Sequence, residues 1–154
     1  MTDADRERWE QYASAVLLIE VEPGTWVTLN GAAAVDELPL GSPMFLSTAW
    51  NPFGEERSAD ENAAANVRME AELRSLSTVV VRAVGHDTET GYREEGFAVA
   101  GIGRAEALEV ARRFEQEAIY EVDDDTVRIV PCDDGAQVEF PRRLNAGGGP
   151  LDVR

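Results

Sequence analysis

Three carboxamides, Asn51, Asn62 and Asn66, open the chemical reading, because an amide offers donors and acceptors together, as a site for a small polar ligand requires. Asn62 and Asn66 are one helical turn apart, so a helix here places them on the stripe that carries Met69, Leu73 and Leu76. Asn51 lies just before that helix, beside Trp50 and Phe53, either of which would give a ligand a stacking wall. The same amides have a second use, tying down the irregular backbone between Asn51 and Ser58, whose polar groups need partners wherever they are covered. Side-chain-to-backbone bonding is the commoner fate of a buried amide, so scaffolding is the favoured reading of these three amides.

Glu94 and Glu95 are adjacent carboxylates, but neighbours on a strand point to opposite faces and cannot share a substrate without a bulge. Only one of the two could reach a site and Glu94 is the candidate, but the favoured reading of Glu94 is an ion pair with one of the arginines. His86, the only histidine, sits in a polar loop beside Asp87 with no nucleophile to activate. Asp123-Asp124-Asp125 is explained as turn chemistry, and no calcium-loop spacing surrounds it. Gly101-x-Gly103 ahead of a helix lacks a third glycine and reads as a tight turn. Cys132, the single cysteine, lies beside Asp133 and Asp134, without the positive surroundings that favour a thiolate. The candidate ligand-binding set is therefore Asn51, Asn62, Asn66, Glu94 and Trp50, with no catalytic residue, no metal ligands and no cofactor expected.

These residues need elements to hold them. Residues 3–13 predict a short helix capped by Thr2 or Asp3, with Trp9 and Tyr12 on one face. Residues 15–19 and 25–29 are apolar, β-branched runs around Pro23-Gly24, which predicts a hairpin. Residues 31–43 read as a connection containing a helical turn. A strand over 44–50 ends at Asn51-Pro52, where proline cannot donate to a ladder. Ser58-Ala59-Asp60-Glu61 matches a capping box for a helix over 59–76. Strands over 78–84 and 92–100, a helix over 104–117 and a hairpin of 118–122 with 126–130 complete the pattern. Beyond Pro131 the pattern fades, giving one domain over 1–131 and an extension over 132–154 with a glycine-rich, flexible segment at 145–150. The middle order, strand-helix-strand-strand-helix-strand, predicts an α+β fold with a ferredoxin-like split β-α-β antiparallel sheet and both helices on one face. The N-terminal helix and hairpin are additions to it.

Several stretches together resemble a bacterial domain of unknown function, DUF3293. They are Thr48-Ala49-Trp50-Asn51-Pro52, the helix with Asn62 and Asn66, Tyr92-x-Glu94 followed by Phe97-Ala98-Val99, and Phe114-Glu115-Gln116-x-Ala118. The likeness covers about residues 9 to 130. The resemblance supplies a family name and no mechanism, since the family carries no established activity. It also implies two departures: members more often have Trp where Tyr92 stands and Gly where Glu115 stands.

Composition narrows the partners. Thirty acidic residues against 14 basic ones, all of them arginine, give a net charge of −16. Such a field repels phosphates and anionic lipid headgroups, so neither nucleic acid nor a membrane surface is an expected partner. The polar, acidic start is unlike a signal peptide, and no apolar run approaches the roughly 20 residues of a membrane span, which makes the cytoplasm the expected location. The expected function is a binding or interaction domain for a small polar ligand or a protein partner. The rival is a small hydrolase or transferase using Glu94, with Asn51 and Asn66 orienting the substrate.

Overall fold

A computed structural model of the chain describes residues 2–133 and 135–143, together with the backbone of residues 152–153. Two capping boxes start helices where the sequence places them. The Thr2 side chain accepts from the Asp5 amide and the Asp5 carboxylate accepts in return, opening α1 (Asp3–Ser14). Ser58 and Glu61 do the same for α2 (Ala59–Leu76), which buries Asn62, Ala65, Met69 and Leu73. Leu76, expected on the same stripe, is 40% exposed as the last residue of the helix. The helix α3 (Arg104–Arg113) is shorter than predicted, because Glu115 takes a left-handed conformation with φ 58° and turns the chain away. No helical turn forms over residues 31–43.

The strands are β1 (Val16–Glu22), β2 (Thr25–Thr28), β3 (Met44–Ser47), β4 (Val79–His86) and β5 (Arg93–Ala100) in the first part of the chain. The second part adds β6 (Ala118–Val122), β7 (Thr126–Pro131), β8 (Val138–Pro141) and β9 (Asp152–Val153). All pair antiparallel in one sheet of order β2-β1-β4-β5-β3-β6-β7-β8-β9.

The first eight strands form a curled half-barrel. Laid flat, β2 and β8 would stand about 34 Å apart at about 4.8 Å per neighbouring strand. Instead the Gly31 amide just after β2 donates to the carbonyl of Arg142 just after β8, 2.8 Å away. Arg142 itself is wholly buried, and its guanidinium donates to the carbonyls of Leu29, Val35, Asp36 and Asp124. The inner face of the curl is filled by Leu17, Ile19, Leu46, Val122, Ile129 and Phe140 with Trp9 of α1. The outer face carries Phe45, Val80, Phe97 and Ile119, packed under Met69 of α2 and Val110 of α3.

This corrects the expected ferredoxin-like sheet with its helices on one face. The α+β class stands, but the sheet is long and curled, and helices cover both of its faces. The physical reason is visible in β5, where Gly96 to Ala100 are all buried; a strand apolar on both sides must be covered on both sides. Small residues on the inner face, Ala83, Gly96, Ala98 and Ala100, let the sheet bend inward. Residues 138–143 lie beyond the expected domain end at 131, yet Val138 and Phe140 belong to the inner core. The segment expected to be flexible, 145–150, lies outside the described residues, as does Arg154.

Candidate functional site

The turn between β3 and α2 holds two left-handed residues, Asn51 at φ 48° and Phe53 at φ 54°, where non-glycine residues are strained. Side chains of α2 and of the segment after α3 hold it, together with Thr48 and Asn51 of the turn itself. The Asn51 amide donates to Asn62 Oδ1 at 3.0 Å, and Asn62 Nδ2 returns a bond to Asn51 Oδ1 at 3.0 Å. Asn51 Oδ1 also accepts from the Arg57 amide at 2.9 Å. One turn on, Asn66 accepts from the Ala49 amide and donates to the Glu95 carbonyl. Gln116, buried after α3, donates to the Trp50 carbonyl at 3.0 Å, and the Phe53 amide donates to the Glu115 carbonyl. Thr48 Oγ1 accepts from the Trp50 amide and donates to the Glu95 carbonyl at 2.6 Å.

One group of this turn is aimed elsewhere. Asn51 Nδ2 donates to the Tyr92 hydroxyl at 3.0 Å, and that hydroxyl donates to Glu94 Oε2 at 3.3 Å. The relay opens into a cleft of about 660 Å3 at the mouth of the half-barrel, between α1 and the inner face of the sheet. Tyr12, Tyr92 and Tyr120 line it with Glu94, Asn51 and Thr48. Glu94 is half-buried, and desolvation raises its pKa from the ordinary 4.5, opposed only by the Tyr92 hydrogen bond. Burial, with the Glu94 charge beside it, pushes the Tyr92 hydroxyl up to about 12. Burial raises Tyr12 and Tyr120 as well, and the Glu94 charge adds to both. All three phenols therefore stay protonated as donors. The arginine partner expected for Glu94 is absent: among the described residues no cation pairs with it.

Residues 47–119 match the family model described as a protein of unknown function, DUF3293. This segment is similar to DUF3293. The match is narrower than the expected 9 to 130, and it spans the strained turn, the clamping amides of α2, the relay to Glu94 and Gln116. Searches of curated proteins and of solved structures returned no match.

Within this DUF3293 segment the predicted residues divide. Asn51 and Glu94 meet in the cleft through Tyr92, whereas Asn62 and Asn66 have both amide ends engaged by the turn and by β5. Trp50 does not line the cleft, so the walls there are tyrosines. Glu95 points to the other face and meets Arg82 at 3.3 Å, as strand alternation requires. Outside the segment, Asp123 accepts from the amides of Asp125 and Thr126 and pairs with Arg128, which is turn chemistry. Cys132 is buried and its thiol is pushed up to about 11 by desolvation. Tyr12, Tyr120 and Gln116 were not singled out as site residues from the sequence. Only Gln116 left a signal, in the Phe114-Glu115-Gln116 motif; the tyrosines meet across 108 positions, where Tyr120 Oη donates to the Tyr12 carbonyl.

Proposed function

We propose that this protein is a binding module for a small polar ligand received in the cleft over Glu94. The observation that carries the reading is a carboxylate drawn partly out of water, without a cation beside it, at the end of a relay fixed by a strained and clamped turn. Removing a carboxylate from water is costly, and one phenolic hydrogen bond with no paired cation among the described residues leaves part of that cost for a ligand to relieve. The clamps of Asn62, Asn66 and Gln116 supply rigidity, so that Asn51 presents its Nδ2 at one position and a ligand need not order it.

A thermal-shift screen of small polar metabolites tests this. A compound at 100 times its Kd adds about 2.7 kcal/mol. For a chain of this size that is a rise of about 5–10 °C in Tm. The rise is expected to be lost in Glu94→Gln, which keeps the shape of the site. If no compound shifts the wild type, or if the shift is equal in the variant, the reading fails.

A second reading, a hydrolase or transferase with Glu94 as general base, draws on the raised proton affinity of Glu94 and its link through Tyr92 to Asn51. It gives Asn66 a substrate-orienting role that competes with that residue's bonds to Ala49 and Glu95. Turnover of a compound found in the screen, abolished by Glu94→Gln with binding retained, would favour it.

A further inference from the structure

The cleft says more about its occupant than polarity. Three tyrosine rings line it, and the Glu94 charge is felt by all three hydroxyls. Of the charged residues along the wall, among the described residues, Asp87, Glu89, Glu94 and Glu117 are carboxylates and Arg8 is the one cation. Arg8 is already engaged by Asp5 at 3.0 Å and Glu117 at 3.7 Å. Asp87 is occupied by the amides of Glu89 and Thr90. Glu94 is left with a single phenolic donor at 3.3 Å, itself shared with Asn51. The whole molecule carries a charge of −16, so the surrounding field concentrates cations and disfavours anions at this mouth.

Resting on the reading of the cleft as a ligand site, we infer that its ligand is a small organic cation, an ammonium group on an apolar body, with Glu94 as counter-ion and Tyr12, Tyr92 and Tyr120 as aromatic walls. The pairing is chemically specific. An ammonium supplies the charge that Glu94 lacks, and it is attracted to the negative faces of aromatic rings when partly desolvated. A bare metal ion would forgo the rings, and an anionic ligand would meet four carboxylates. A neutral isostere would fill the same volume with neither interaction.

The test is isothermal titration of the full chain at low salt with choline and butylammonium, beside their uncharged counterparts 3,3-dimethylbutan-1-ol and pentane, and with pivalate as the anion. The cations are expected to bind at least tenfold more tightly than the neutral compounds. That preference is expected to fall at least tenfold in Glu94→Gln and to weaken as salt is raised. Tyr92→Leu, which removes a ring and leaves the carboxylate, is expected to lower affinity for choline severalfold while keeping the part of the charge preference that Glu94 supplies. Equal binding of cation and neutral isostere, or an unchanged preference in Glu94→Gln, overturns the inference. If pivalate or the alcohol binds at the cleft and the cations do not, the ligand class is wrong while the cleft remains a site. If neither these probes nor any compound of the thermal screen binds, the underlying reading falls with it.

Discussion

At Glu115 a side chain occupies a backbone conformation that glycine adopts without penalty, with φ 58°. The family resemblance implied glycine at this position, and the geometry gives the reason. Glu115→Gly is expected to raise stability by about 0.5–1 kcal/mol, read from the urea midpoint at constant slope. Gly96 is the opposite case. A Cβ built there would lie 2.2 Å from the Ser47 carbonyl oxygen, a backbone atom that cannot swing aside. Gly96→Ala is expected to cost about 3 kcal/mol in the same experiment, near the upper end for overpacking. Glu94 yields a prediction in pH. Its folded pKa lies above the ordinary 4.5, so between those values the folded state binds the extra proton and stability falls as pH rises. Glu94→Gln is therefore expected to be more stable than wild type at pH 7 and to lose that advantage below pH 4.5, measured by thermal melts across pH.

At the scale of elements, the amides of α2 act as fasteners. Asn62→Ala removes both bonds of a reciprocal pair and leaves the Asn51 amide without its acceptor, at an expected cost of about 2 kcal/mol. Local periodicity made this legible: the capping box fixed the start of α2, and the 3.6-residue repeat placed Asn62 beside Met69. What such periodicity does not carry is the partner across the fold. The cleft joins α1, β3, β5 and β6, whose proximity depends on which strand pairs with which. Strand order is a long-range property that alternation along one strand leaves open. The same limit explains the fold correction. Each strand and helix of the middle pattern and both hairpins could be read from their residues, but the pairing of β1 with β4, the insertion of β3 between β5 and β6, and the curl arise from contacts between remote segments. The early end of α3 was hidden for a different reason, since a left-handed glutamate gives no compositional signal.

For the whole molecule, Arg142 is where the curl is closed. Its buried guanidinium gathers carbonyls from the segment after β2 and from the β6–β7 turn, so the two ends of the half-barrel share one side chain. Arg142→Met fills similar volume but leaves those carbonyls without a donor, and is expected to cost about 3–5 kcal/mol. Hydrogen exchange is expected to show the loss in β1, β2 and β8 together, as one cooperative unit. The negative charge of the molecule, which argued against nucleic acid at the level of composition, takes on a positive meaning at this scale: it favours cations at a mouth where Glu94 has no paired cation among the described residues.

The most direct test of the cleft as a binding site is backbone amide NMR of the wild type titrated with the strongest compound from the thermal screen. The account predicts shifts clustered at Thr48, Asn51, Tyr92, Glu94 and Gln116, all following one saturation curve and absent in Glu94→Gln. Saturable shifts clustered around Phe53, Arg112 and Asp133 instead, with Tyr92 and Glu94 unmoved, would contradict it.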